Sequence, residues 1–255
     1  MIRIYNDLES LSLAAAELFI VQSRQASLSC GRFSVALSGG GTPRRLFEIL
    51  ASAPYLKRVH WSDVHVFWSD ERCVAEDDPR NNANMARRAL LNHVPIPAEN
   101  IHPIHCDVSP QQAAIQYEDE LRQFFSQQNP NFHLVLLGLG TNGHIASLFP
   151  HTPVLNEQER WVSEVYIKSL DMYRVTFTAP FINQASQVVF LVSGLAKSRV
   201  LEKVLEGPYQ PHKLPAQLIR PNGAQPIWLV DRAASHKLTA QNQEDLLSEG
   251  QSSPP

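Results

Sequence analysis

The chain has 255 residues, 44% of them hydrophobic and 18% charged, a composition that excludes a disordered, collagenous or coiled-coil protein. Its 22 Lys and Arg stand against 25 acids, a formal net charge of −3, so it carries no electrostatic footprint for nucleic acid or an anionic membrane. An α/β domain of this length is often undivided, and no repeat, linker or composition break argues for a second one.

Near the N-terminus, Leu8, Leu11, Ala15, Leu18 and Phe19 recur at helical spacing, which predicts a helix over 7–29 with Asp7 as its N-cap. The same stretch lacks the basic and uninterrupted apolar regions of a signal peptide, and no run of apolar residues is long enough to span a bilayer. FSVAL (33–37) reads as a short strand ending in Ser38-Gly39-Gly40-Gly41. A helix is expected next, with Thr42 as N-cap and Pro43 at the first helical position. VHVFWSDE (64–71) predicts another strand, followed by a polar loop and a helix near 82–92. A helix over 109–128 precedes HLVLLGLG (133–140), whose nearly continuous apolar run suits a strand buried on both faces. Further strands are read in WVSEVY (161–166), RVTFTAP (174–180), QVVFLVSG (187–194) and PIWLVD (226–231), with helical patterns at 195–206 and around 213–219. Strands alternating with helices predict an α/β fold. It is read as one domain over 1–238 on a mostly parallel, doubly wound sheet with right-handed crossovers. Residues 239–255 are polar and read as a flexible tail.

The cysteines are Cys30, Cys73 and Cys106. With no CxxC pair, and in a chain too large to need disulfides, they point to a reducing cytoplasm. Cys73 lies beside charged residues of interest, where a small apolar filler is the ordinary role of a cysteine. His102 and His105 flank Pro103 with no third ligand nearby; both are expected at the surface, and no metal is expected.

In an open α/β sheet the ligand crevice lies beyond the carboxyl ends of the strands. Four suspicious segments fall at such ends: SGGGTP, SDER, GLGTNGH and SGLAK. Gly39, Gly40, Gly41 and Thr42 offer free N–H groups at a helix N-terminus, which suits an anion better than a mere tight turn. The loop matches neither GxGxxG nor GxxxxGK[ST], so dinucleotide and P-loop assignments fail. Asp70-Glu71-Arg72 reads equally as a solvated charge cluster or as a guanidinium fork for phosphate with Asp70 orienting a partner. Lys197 sits at the first turn of a helix, against the dipole preference, which an anionic ligand would satisfy. Arg174 opens a strand, where a salt-bridging surface arginine is the plain reading. His144 follows a buried strand and a glycine-rich turn, at a position where an imidazole can take a proton from water. GxSxG is absent, so covalent acyl catalysis is not indicated.

Taken together, SGGGTPRRLFEIL, WSDERCVAEDDPRNNANMARRALL and LLGLGTNGHIASLFPHTP closely resemble the 6-phosphogluconolactonase family. The similarity continues through RVTFTAPFINQASQVVFLVSGLAKSRVLEKVL, LPAQLIRP and WLVD. The resemblance implies a modified Rossmann-like sheet flanked by helices, shared with glucosamine-6-phosphate deaminase and ribose-5-phosphate isomerase. It implies hydrolysis of 6-phospho-D-glucono-1,5-lactone to 6-phospho-D-gluconate in the oxidative pentose phosphate pathway, with no cofactor. It places His144 as general base, Asp70 as an active-site aspartate, and Arg72, Lys197 and the loop Gly39 to Thr42 around the substrate. Arg174 is counted with the phosphate-binding set. The family's usual Asp-Gly-His reads Asn142-Gly143-His144 here, and Asn142 is kept among the catalytic residues. Related deaminases continue GHIA with Asn-Glu-Pro, whereas this chain has Phe149 in the place of that glutamate. Both departures favour hydrolysis over an isomerase or deaminase on the same fold, while a non-catalytic sugar-phosphate-binding protein, the other alternative, gains only from Asn142. The expected partner is a small sugar-phosphate lactone, without nucleic acid or membrane, acting on a monomer or weak homodimer.

Overall fold

The computed structural model describes residues 1–125 and 131–239. The tail expected over 239–255 and the end of the helix expected over 109–128 fall largely outside them. The chain opens with β1 (Ile2–Tyr5), unanticipated from the sequence, and α1 (Leu8–Cys30). Asp7 caps α1 as expected: its carboxylate accepts from the Ser10 N–H at 2.8 Å, while the Ser10 hydroxyl accepts from the Asp7 N–H. Gly31 ends the helix at φ 73°, the left-handed conformation that favours glycine.

β2 (Phe33–Leu37) is buried throughout and leads into α2 (Gly41–Leu50). β3 (Val64–Trp68) and β4 (Asp70–Arg72) follow, then α3 (Asn82–Ala89), β5 (Ile101–His102) and α4 (Pro110–Phe124). Then come β6 (Leu134–Gly138), β7 (Val162–Ile167), β8 (Met172–Phe177) and the short α5 (Ala179–Ile182). β9 (Val188–Val192), α6 (Ser198–Leu205), β10 (Ile227–Asp231) and the single turn α7 (Arg232–Ser235) complete the order. The helix expected over 195–206 begins as a 3₁₀ turn at 195–197, and the pattern around 213–219 is a 3₁₀ turn over 215–218.

Seven strands form a parallel sheet in the order β1-β10-β9-β6-β2-β3-β5. Strand order reverses between β6 and β2, and a crevice opens outside the carboxyl ends at that point. Helices α1 and α2 pack on one another, α1 against β2 and β10, α2 against β6 and β9. Leu11, Val35, Leu37, Leu46, Phe47, Leu134 and Val188 are among the fully buried side chains there. Truncating a leucine of this kind to alanine costs about 2–5 kcal/mol. No helix among the described residues is long and apolar enough to cross a membrane.

One expectation is corrected here. The segment 64–71 is not a single strand, and 161–166 and 174–180 do not extend the parallel sheet. β4, β8 and β7 form a separate three-stranded antiparallel sheet. The chain divides at Ser69, whose N–H donates to Leu37 O of β2 at 2.9 Å while its carbonyl accepts from the Phe177 N–H of β8 at 2.8 Å. One residue thus belongs to both ladders. α4 packs against β7 and β8, and Tyr117 of α4 accepts the Trp68 N–H at 2.9 Å just before the split. That pairing matters because a buried backbone N–H without a partner is costly.

His102 is also corrected. It is not a surface histidine: its ring lies 4.2 Å from that of Phe67, nearly parallel, and Nδ1 donates to Glu120 at 2.7 Å. His105 is exposed, as expected.

Candidate active site

The glycine loop follows β2 because Ser38 is fixed at its end, its hydroxyl donating to Leu136 O of β6 at 2.7 Å. The N-cap of α2 is Gly40, at φ 104°, and not Thr42. With the cap at Gly40, Thr42 is already the second residue of the helix and cannot cap it. Gly39 must lack a side chain, since a Cβ there would stand 1.8 Å from Asn82 Oδ1. The Asn82 amide in turn donates to Asp70 O at 2.9 Å, which joins the loop to β4.

Within SDER the three charged residues do different things. Glu71 is fully buried and accepts from the N–H groups of Arg72, Asn82 and Ala83 at 2.7, 2.7 and 2.9 Å. It therefore caps α3, with its charge at the favourable end of the helix dipole. Burial pushes its carboxyl up to about 7, against the pull of those three donors. Asp70 is buried and accepts the Ser147 hydroxyl at 2.7 Å, with Arg174 Nη1 at 3.7 Å. Arg72 lines the crevice, and its guanidinium donates to the carbonyl of Arg80. The antiparallel register sets Arg72 directly opposite Arg174. Arg174 is no surface residue, being 8% exposed, and the Nε groups of both arginines are buried without a partner among the described residues.

His144 stands on the turn after β6. Gly143, at φ 85°, makes the turn, and Gly140 permits it: a Cβ at 140 would lie 2.1 Å from the His144 ring. Asn142 Oδ1 lies 2.6 Å from His144 Nδ1 and 3.3 Å from the His144 backbone N–H. The backbone donor fixes the amide oxygen on that side, so Nδ1 carries the ring proton and Nε2 is left with its lone pair. Phe149 stacks on the imidazole at 3.9 Å between centroids, and its ring also lies 5.3 Å from the Arg174 guanidinium. Burial, aided by Arg174, Lys197 and Arg72 and opposed by Asp70, lowers the imidazole to about 4. It is neutral at physiological pH.

Lys197 sits in the 3₁₀ turn before α6. The loop presenting it is held by Asp231, which accepts from the Ser193 hydroxyl at 2.5 Å and from the Gly194 N–H at 3.0 Å. Desolvation lowers the Lys197 ammonium.

These segments enclose one cavity of about 480 Å³, lined by Gly39, Gly40, Gly41, Thr42, Asp70, Arg72, His144, Arg174 and Lys197. Asn142 lies outside that lining, facing a neighbouring cavity, and reaches the site only through His144. Phe149 is singled out by the sequence, whereas Ser147, Asn82 and Asp231 are neighbours of the site that sequence reasoning did not place. Their contacts join residues far apart in the chain, and no local pattern marks them. Around the cavity three cations face one carboxylate, an excess suited to a doubly charged anion such as phosphate. Among the described residues no group of His, Cys, Asp and Glu is arranged to hold a metal ion.

The family described as glucosamine-6-phosphate isomerases/6-phosphogluconolactonase matches residues 6–228 of the chain. A 6-phosphogluconolactonase of Synechocystis is 44% identical over 82% of this chain and 85% of its own length. That of Nostoc is 39% identical over 93% of this chain and 98% of its own. Among solved structures, the 6-phosphogluconolactonase of Trypanosoma cruzi superposes with a TM-score of 0.83 at 27% identity, covering 93% of this chain and 96% of that one. A monomeric glucosamine-6-phosphate deaminase, at 20% identity and a TM-score of 0.77, shares the fold over 92% of this chain and 99% of that one.

Proposed function

The chain belongs to the glucosamine-6-phosphate isomerase/6-phosphogluconolactonase family, and from that membership we propose that it hydrolyses 6-phosphogluconolactone with His144 as general base. The observation that carries the reading is a neutral imidazole facing a cation-rich cavity, with Nδ1 engaged by an amide and Nε2 free. Nε2 accepts a proton from water as the water attacks the lactone carbonyl. The imidazolium that forms keeps its Nδ1–H on Asn142. Arg72, Arg174 and Lys197 grip the remote phosphate with the N–H groups of the glycine loop, and that binding energy orients the ring at the base. The same phosphate offsets the cations that depress His144, so substrate raises the basicity of its own catalyst. Asp70 acts as a positioning carboxylate, since its Oδ2 accepts from Ser147 and faces Arg174 while its Oδ1 accepts from the Asn82 amide at 3.4 Å.

The groups against His144 are an amide and a phenyl ring, neither of which can carry a proton. A single-base hydrolysis suits that setting, whereas isomerisation or deamination needs several proton transfers. The unpaired cysteines favour the cytoplasm. The test is acid release from freshly made 6-phosphogluconolactone, corrected for spontaneous opening, beside ammonia release from glucosamine 6-phosphate. Acid without ammonia is expected; ammonia above background, or no acid beyond the spontaneous rate, refutes the reading.

A further inference from the structure

Cys73 directly follows Arg72 at the end of β4, and Cys106 lies in the segment after β5. Their sulfurs stand 3.1 Å apart, and both side chains are partly exposed. The two segments touch a second time through His105 and Glu76, 3.4 Å apart. A disulfide needs about 2.05 Å between its sulfurs, so closing this pair asks for roughly one ångström from two segments already in register. We propose that Cys73 and Cys106 are a reversible oxidation site, whose disulfide ties the 103–109 segment to the end of β4 and adjusts the grip of Arg72 on phosphate.

The geometry also assigns the order of events. The Cys106 thiol donates to the Cys73 sulfur, which lowers the Cys73 thiol and raises that of Cys106; Glu71 opposes and Arg174 favours the Cys73 thiolate. Cys73 is therefore the attacking group. With a small-molecule or protein disulfide as oxidant, the Cys73 thiolate attacks one sulfur, breaks the oxidant's S–S bond and expels a thiolate. Cys106 then gives up its proton to that thiolate and attacks the Cys73 sulfur, expelling the second thiolate, which takes up the proton that Cys73 had lost. Two protein thiols are oxidised and one disulfide is reduced to two thiols. The link to catalysis runs through the backbone. The Cys73 N–H donates to Tyr173 O at 3.0 Å, beside the rung that pairs Arg72 with Arg174. Cys30, exposed and remote in sequence, serves as an internal reference for reactivity.

The cross-link is independent of the proposed function, while its kinetic effect rests on Arg72 holding the phosphate. The full chain is incubated with oxidised glutathione, digested with trypsin without reduction, and mapped by mass spectrometry. The expected product joins the peptides of Cys73 and Cys106 with the loss of two hydrogens and reverts with dithiothreitol. The oxidised enzyme should show a KM for lactone changed by at least about threefold with kcat held within about twofold, as expected for altered binding of a remote group. Cys106→Ser, or Cys106→Ala should the serine variant not fold, should give no internal cross-link and stop at a glutathione adduct on Cys73. Free thiols at both positions while Cys30 is glutathionylated, or separate glutathione adducts on each, overturn the site. A quantitative cross-link with unchanged KM overturns its coupling to Arg72.

Discussion

Arg72 and Arg174 face each other across neighbouring antiparallel strands, and the Nε group of each is buried with no protein partner among the described residues. Two like charges held this close repel, and a buried donor without an acceptor costs about 1–3 kcal/mol. On the proposed reading, a phosphate between them would relieve both penalties. Arg72→Ala and Arg174→Ala should each weaken 6-phosphogluconate binding by about 1.5–3 kcal/mol, as for loss of a charged hydrogen bond, while leaving unphosphorylated gluconate unaffected. Competitive inhibition by the two ligands measures this, and an equal loss for both would place the phosphate elsewhere.

Removal of the base should be felt in turnover and not in folding. His144→Ala is expected to lower kcat by about 10²–10⁴ with an unchanged circular dichroism spectrum. Wild-type turnover in the folded variant would take His144 out of the mechanism.

A neutral His144 at about 4 dictates the sign of the pH response. The active form is the unprotonated one, so kcat/KM should stay level as pH falls from neutrality and drop only on approach to that value, after allowance for the substrate phosphate, which titrates near 6. The limb of kcat, which reports the complex, should lie higher because bound phosphate offsets the cations. In Asn142→Asp a carboxylate replaces the amide 2.6 Å from Nδ1, favouring the imidazolium and moving the kcat/KM limb up by about 1–3 units. Superimposable profiles for wild type and variant would show that residue 142 does not set the basicity.

Gly140→Ala puts a methyl group where the imidazole now lies. The ring must swing off Asn142, and since a displacement of about 1 Å can cost 10²-fold, kcat should fall by about that factor or more. A variant with normal kcat would mean that the ring's present position is not the productive one.

Glu71 should matter for stability. In Glu71→Gln an amide NH₂ replaces one of the two acceptors that meet the α3 N–H groups, for an expected loss of about 1.5–3 kcal/mol. Denaturant unfolding monitors it; an unchanged midpoint would show that the cap is not needed.

The sequence makes the strand–loop–helix units legible because their signals are local. The apolar run of β2, the glycines after it, and His144 two residues beyond Asn142 all lie within a few residues of one another. The split at Ser69 is illegible because no Gly or Pro marks it within WSDE; the break is imposed by Leu37 on one side and Phe177 on the other. Thr42-Pro43 imitates a cap, but Gly40, at positive φ, takes that role two residues earlier. Arg174 reads as a surface residue until β4 is laid beside it. β1 and β5 escape notice because a few half-buried residues carry too little periodicity to be seen.

The arginines proposed to hold the phosphate stand on the antiparallel sheet, whereas His144, Asn142 and Phe149 belong to the stretch between β6 and β7. Anchor and reaction centre are therefore encoded by different parts of the chain. Evolution can rewrite residues 140–149, exchanging an amide for a carboxylate or a phenyl ring for an acid, without loosening the hold on the ligand. A phosphosugar would still arrive in the same pose and meet different chemistry. That separation gives a physical route by which one inherited handle serves diverging reactions, and it locates the heritable decision in a single short loop.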